Sequence, residues 1–185
     1  MRRDQLEHAI RAATEIVRHH TVIVIGSQSV LGTWHEDELP EVTTMSDEVD
    51  ICPLDDNDAE DLATELDSVA GELSPFHELH EFYIQGVGRN TAVLPSGWSD
   101  RLVKVSNENT RGRTGLCLEP HDLCAAKILV LRDKDKMFVQ ALLEAGLVNE
   151  SILTERLATI DDPHAAFARS WIENRPKSPA RIQDS

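Results

Sequence analysis

Two short segments contain residues whose types and spacing suit phosphate chemistry. Gly26-Ser27 follows the β-branched run 21–25 (TVIVI) and precedes a short apolar stretch that ends at Trp34. At a strand–turn–helix junction a glycine lets the backbone approach a ligand closely, and the first N–H groups of the helix face an anion. The Ser27 hydroxyl adds a donor, so the segment predicts a phosphate-binding turn. The alternative is a turn that uses Gly-Ser only for its geometry.

The second segment is the alternating run Glu48-Val49-Asp50-Ile51. Its period of two predicts a strand with both carboxylates on one face and both apolar side chains in the core. Two like charges held this close are unfavourable unless a cation lies between them. Carboxylate oxygens suit Mg²⁺, which also takes substrate phosphates and water. We therefore expect Glu48 and Asp50 to bind magnesium; two solvated acids on a surface strand are the alternative.

An anion-binding turn and a later carboxylate pair are together what phosphoryl transfer requires. At this point the chain resembles the nucleotidyltransferase superfamily, with its polymerase-β-like fold, through residues 25–29 (IGSQS) and 46–51 (SDEVDI). Residues 122–127 (DLCAAK) and 132–135 (RDKD) resemble the third and fourth motifs of the AbiEii and MenT toxins. Those are bacterial toxin–antitoxin nucleotidyltransferases, and the resemblance covers roughly residues 20–145.

The resemblance gives the downstream residues candidate roles. Lys127 shares a helix stripe with Leu123 and Leu131, so its ammonium either snorkels to solvent or reaches a triphosphate. Asp135 is a candidate metal ligand or base, or else a solvated acid. Arg132 is a candidate phosphate ligand, or else it stabilises a helix end. We therefore predict Ser27, Glu48, Asp50, Lys127 and Asp135 as catalytic, and Gly26, Ser27, Lys127 and Arg132 as nucleotide-binding.

The sequence departs from the superfamily pattern at two places. Many members carry a third acid on another strand, and the segment 82–118 offers no convincing equivalent. The group also often has a basic residue after the Gly-Ser turn, where this chain has Gln28, Ser29 and Val30. Either Asp135 completes the metal site, or the fold is retained with reduced activity.

The resemblance implies an NTP as substrate, the 3′ end of a tRNA as acceptor and an antitoxin as partner. The formal net charge of −15 favours instead a protein hydroxyl, for example on the antitoxin, because an acidic surface repels RNA. A segment around Arg111-Gly-Arg113, with Lys104 and Arg101 nearby, is the best candidate for a basic patch. A catalytically silent domain that only binds nucleotide or a partner protein is the third possibility.

The elements that must hold these residues indicate an α/β (α+β) fold. Strands are expected at 21–25, 48–52, 82–84, 91–94, 101–105 and 115–118, after a first amphipathic helix, and helices prevail from Pro120 onward. This predicts a small mixed-sheet core at 1–118, a C-terminal helical segment at 119–174 and a disordered tail at 175–185. No run approaches the roughly 18 apolar residues that span a bilayer, so we expect a cytoplasmic protein without a membrane partner.

Overall fold

A computed structural model describes residues 1–54 and 59–176. Within these ranges the chain forms seven α-helices and five strands, which in chain order are α1 (Arg3–Ile16), β1 (Thr21–Val24), β2 (Glu48–Pro53), α2 (Ala59–Ala70), α3 (Pro75–His80), β3 (Tyr83–Gly86), β4 (Val103–Val105), β5 (Thr114–Cys117), α4 (Pro120–Val130), α5 (Asp133–Glu144), α6 (Glu150–Ala158) and α7 (His164–Asn174). None of the helices in this part of the chain is both long enough and apolar enough to cross a bilayer.

The five strands form one mixed sheet in the order β3-β2-β1-β5-β4. Strand β1 pairs antiparallel with β2 and parallel with β5, while β2 pairs parallel with β3. The short strand β4 pairs antiparallel with β5 and forms the edge of the sheet opposite β3. A small mixed sheet with helices confirms the predicted fold class.

The sheet is held by apolar side chains that alternate along its central strands. In β2, Val49 and Ile51 are fully buried, whereas Glu48 and Asp50 on the other face remain partly exposed. Helix α1 packs on β5, where a side chain at Gly115 would overlap Ile10. The expected alternation in β2 therefore places its two acids outside the core, on the face where ligands can reach them.

The C-terminal helices are joined to the sheet by a buried ion cluster. Asp122, in the first turn of α4, is fully buried. Its carboxylate lies 2.8 Å from Arg101 Nε, which precedes β4, and 3.3 Å from Arg156 Nε on α6. Strand β5 ends at Cys117 and α4 begins at Pro120, close to the predicted boundary between core and helical segment. That division remains a prediction, because the cluster ties both sides together.

The strand expected at 91–94 is wrong: a 3₁₀ turn, Arg89–Thr91, occupies its start, and the Thr91 amide donates to the Gly88 carbonyl instead of to another strand. The predicted disordered tail begins at Arg175, whose guanidinium lies 2.9 Å from Glu150 Oε2. Residues 177–185 of that tail lie outside the described ranges.

Candidate functional site

The Gly-Ser turn and the carboxylate pair meet where β1 and β2 lie side by side. The Ile25 amide donates to the Asp50 carbonyl at 3.1 Å. A Cβ atom built on Gly26 would lie 1.6 Å from Asp50 Oδ2, so the Asp50 carboxylate rests directly against the glycine. The Gly26 φ of −75° is ordinary. Glycine is therefore required here for space, because any side chain would displace the Asp50 carboxylate.

The segment after Gly26 is a six-residue 3₁₀ helix, Ser27–Gly32, where the sequence predicted a short helix. Such a short element contributes little dipole, so an anion would be held chiefly by individual amides and the Ser27 hydroxyl. Gln28, which stands where the resemblance led us to expect a basic residue, is fully buried and donates to the Ser46 carbonyl at 3.2 Å. The Ser46 hydroxyl accepts from the Glu48 amide at 3.2 Å. Gln28 thus holds the segment that leads into β2.

The electrostatic state of Asp50 reflects its surroundings. Its pKa is raised to about 6 by burial, by the negative charge of Glu48 and by a hydrogen bond shared with that carboxyl. The Lys127 ammonium opposes this shift. Lys127 only partly neutralises the negative charges of Glu48 and Asp50. A bound cation would therefore stabilise the two carboxylates.

Lys127 approaches this pair from α4. Its side chain is 15% exposed, with Nζ 3.5 Å from Asp135 Oδ1 and 4.7 Å from the centre of the Phe138 ring. Burial lowers the Lys127 pKa, and the charges of Asp135 and Asp50 counteract this. The ammonium is therefore kept between an acid of α5 and an acid of β2, inside the fold and not snorkelled into solvent.

Asp135 is the most enclosed of the predicted site residues, at 1% exposure. One oxygen lies 2.6 Å from Arg132 Nε, and the other faces both Lys127 and the second guanidinium nitrogen of Arg132 at 3.5 and 3.3 Å. Among the described residues, no group of three or more acids, histidines or cysteines is arranged to hold a metal. The structure therefore does not gather Asp135 with Glu48 and Asp50, and its contacts are those of a residue that holds Lys127 and Arg132.

The neighbouring strand contributes two side chains that the sequence reasoning missed. In the parallel pairing of β2 with β3, Tyr83 lies opposite Glu48 and Gln85 lies opposite Asp50. The residue beside Asp50 is thus a neutral amide and not a third acid, and its Nε2 donates to both carboxylate oxygens of Asp67, at 3.2 and 3.3 Å. The available signal was the strand–helix–strand order after β2, which favours a parallel neighbour.

The candidate basic patch is weaker than its sequence suggested. Arg101 is bound by both oxygens of buried Asp122, at 2.8 and 2.9 Å. Arg111 lies 3.8 Å from Glu15, and Asn107 and Asn109 in the same segment donate to the buried carboxylate of Glu7. The segment is therefore held on α1, and part of its positive charge is already compensated.

Comparisons with known proteins agree with this geometry at the level of family. Searches among curated proteins and among solved structures found no match. A family model described as a nucleotidyltransferase of unknown function (DUF6036) matches residues 4–175, nearly the whole chain. The match confirms the predicted nucleotidyltransferase superfamily, while the closer resemblance to the AbiEii and MenT toxins stays a prediction. The chain therefore belongs to this nucleotidyltransferase family.

Proposed function

We propose that this protein is an active, Mg²⁺-dependent nucleotidyltransferase that moves a nucleotide from an NTP onto an acceptor hydroxyl. The observation that carries the proposal is the contact between Gly26 and the Asp50 carboxylate, with Lys127 facing the same acid. This contact joins the three predicted components: the phosphate-binding turn, the carboxylate pair and a cation for the triphosphate. Family membership supports the reaction class.

The donor set fits magnesium. Glu48 and Asp50 share one face of β2, and the pKa of Asp50 is raised to about 6 in part because the two carboxyls repel each other. Mg²⁺ typically takes one or two protein carboxylates and completes its shell with phosphate oxygens and water, so two acids without a third are sufficient. Glu48 and Asp50 would hold the ion, whose chemistry is to polarise the phosphoryl group and neutralise the departing pyrophosphate.

The remaining residues of the site bind and orient the nucleotide. The Ser27 hydroxyl and the amides after Gly26 would take the phosphates, because a bare glycine backbone allows the close approach. Lys127 would neutralise the triphosphate and is kept charged by Asp135. The Arg132 side chain, 55% exposed while anchored at 2.6 Å on Asp135, is placed to meet a phosphate at the edge of the site.

The acceptor we propose, from the resemblance to the AbiEii and MenT toxins, is the 3′ end of a tRNA, in a toxin that has a cognate antitoxin. A protein acceptor, such as that antitoxin, is the second candidate. It is favoured by the net charge of −15 and by the pairing of Arg101 with Asp122, which removes this cation from the candidate basic patch. An acidic surface with few uncompensated cations repels an RNA backbone but suits a basic protein.

A labelling experiment tests both acceptors together. The protein is incubated with each of the four α-³²P-labelled NTPs, Mg²⁺, total tRNA and a cell lysate, and the label is followed separately on RNA and on protein. Asp50→Asn is the disabling variant. Asp133→Asn is the matched control, because Asp133 lies at the start of α5 and its side chain is 98% exposed.

Label on RNA that Asp50→Asn abolishes and Asp133→Asn retains would support the tRNA acceptor, and label on protein would support the second candidate. If the wild type labels neither with any NTP, while calorimetry shows NTP binding that Mg²⁺ does not affect, the protein is a binding module and the proposed transfer is wrong.

A further inference from the structure

The edge strand β3 forms one wall of the proposed cation site. In the sheet, β2 lies between β1, which leads into Gly26, and β3. Paired residues of neighbouring strands are about 4.8 Å apart and point to the same face. Tyr83 is the partner of Glu48, so its ring stands beside that carboxylate on the side away from the Gly26 turn.

The register of β2 and β3 brings the Tyr83 phenol next to the Glu48 side chain. Burial raises the pKa of Tyr83 to about 12, and the negative charges of Glu48 and Glu72 and a hydrogen bond to Glu48 add to this shift. A phenol carries its proton at neutral pH, so it can donate a hydrogen bond to a neighbouring carboxylate. A phenol has a single O–H to donate, so one such bond leaves the rest of the carboxylate's acceptor capacity available.

Helix α3 holds the tyrosine ring in turn. The His77 ring lies against Tyr83, with 5.0 Å between ring centres. His77 Nδ1 accepts a hydrogen bond from the Leu73 amide at 3.1 Å, and Nε2 lies 3.6 Å from an oxygen of Asp47. Because the Leu73 amide holds the imidazole through Nδ1, the tyrosine packs against a ring whose orientation is fixed.

We infer that Tyr83 is a positioning residue for the cation site: its hydroxyl holds Glu48 so that a free carboxylate oxygen is presented beside Asp50. This inference rests on the proposed function, which assigns Glu48 and Asp50 to the cation. The reason is general, since carboxylates that bind metals are themselves oriented by hydrogen bonds, and loss of such a partner costs about 10- to 100-fold in metal affinity. Without the phenol, Glu48 would be free to swing away from Asp50, which repels it.

The test measures Mn²⁺ binding to the full-length protein by electron paramagnetic resonance and calorimetry, without relying on turnover. Tyr83→Phe removes one hydroxyl and keeps both the ring contact with His77 and the charge of the site. Tyr83→Gln loses the ring but keeps a donor for Glu48. Glu78→Gln is the control, because it removes one negative charge from an exposed side chain on the same helix, α3.

We expect Tyr83→Phe to weaken Mn²⁺ binding about 10- to 100-fold, and Tyr83→Gln to bind more tightly than Tyr83→Phe although it is thermally less stable. Glu78→Gln should stay within about threefold of the wild type, since a solvated charge is well screened. If Tyr83 only supported the fold, the less stable variant, Tyr83→Gln, would not bind Mn²⁺ more tightly than Tyr83→Phe.

Two outcomes would overturn the inference, and they are distinguishable. If Tyr83→Phe binds Mn²⁺ as well as the wild type does, Tyr83 does not position Glu48, and the proposed function stands. If the wild type itself binds no Mn²⁺, with or without NTP, the assignment of Glu48 and Asp50 to a cation falls, and the role of Tyr83 falls with it.

Discussion

Two aspartates in this protein show how differently a fold can treat a buried negative charge. Asp122 lies inside the molecule between Arg101 and Arg156, at 2.8 and 3.3 Å. Asp50 lies beside another acid, Glu48, with Lys127 as a partial counter-charge that is shared with Asp135. The first carboxylate is satisfied by the protein alone, whereas the second leaves a deficit of positive charge that a ligand can fill. The presence of full counter-charge, more than burial, distinguishes the structural acid Asp122 from the candidate functional acid Asp50.

The comparison first predicts a large loss of stability when the compensated acid is removed. In Asp122→Ala the guanidinium groups of Arg101 and Arg156, which are 23% and 29% exposed, lose their common counter-charge. Breaking a buried ion pair from one side costs about 3–5 kcal/mol. Denaturant unfolding should show a decrease of this size in the free energy of unfolding.

Asp133→Ala serves as the control for this measurement, since Asp133 is an exposed acid on α5. A decrease in Asp122→Ala no larger than in that control would mean that the ion cluster contributes little, and the contrast with Asp50 would disappear.

Removal of the uncompensated acid should have the opposite effect on stability. Because the Asp50 pKa is raised from 3.8 to about 6, the charged carboxylate costs the folded state stability at pH 7, and Asp50→Asn should stabilise the cation-free protein by up to about 3 kcal/mol. Nucleotide transfer should fall by roughly 100- to 1,000-fold, as when a preorganised electrostatic contact is removed. Unfolding in EDTA and a single-turnover transfer assay measure the two effects.

A destabilised Asp50→Asn variant would show that Asp50, like Asp122, is a structural acid. The same measurement on Ser46→Ala, which removes an acceptor of the Glu48 amide without changing charge, separates loss of the cation site from loosening of β2.

The sequence was sufficient to predict the centre of the site. The period of two in β2 placed Glu48 and Asp50 on one face, and the Gly-Ser break after β1 located the turn beside them. Both predictions depend on local rules, namely the alternation of a strand and the steric freedom of glycine. The helices from Pro120 onward followed in the same way from their apolar spacing.

The remainder of the site depends on pairings between distant segments, which local patterns do not encode. Tyr83 and Gln85 enter only because β3 pairs parallel with β2 in one particular register. The enclosure of Asp135 by Lys127 and Arg132 depends on how α5 packs on α4. Arg101 was expected in a basic surface patch, but its guanidinium is bound by buried Asp122, and no sequence rule indicated that partner.

A smaller effect is expected when the neutral neighbour of Asp50 is given a charge. Gln85→Glu places a third carboxylate opposite Asp50, and the repulsion by Asp67, which now binds the Gln85 amide, would turn it towards the site. Since affinity for a hard cation rises with the number of charged oxygen ligands, Mn²⁺ binding should tighten by about tenfold. Calorimetric titration of the variant and the wild type checks this.

Gln5→Glu on α1 is the control for net charge, because a carboxylate there can still accept from the Arg2 amide. Equal tightening in both variants would indicate a general effect of charge, and unchanged binding in Gln85→Glu would mean that β3 does not reach the cation.

The smallest effect concerns His8, whose positively charged form is disfavoured by burial, as the negatively charged form of Asp50 is. The His8 ring lies among aromatic rings, 4.3 Å from His80 and 5.6 Å from Phe76 and Phe82. Its pKa is lowered from 6.5 to about 4, first by burial and then by the positive charges of Arg11, His80 and Arg111, against a weaker pull from Glu15.

Because the unfolded chain takes up the proton first, His8 destabilises the fold progressively as the pH falls from about 6.5 to about 4. Allowing for solvent screening, we expect the free energy of unfolding to fall about 1 kcal/mol more over this range in the wild type than in His8→Phe. Parallel pH profiles for the two proteins would instead show that the folded protein accommodates the charged form of His8.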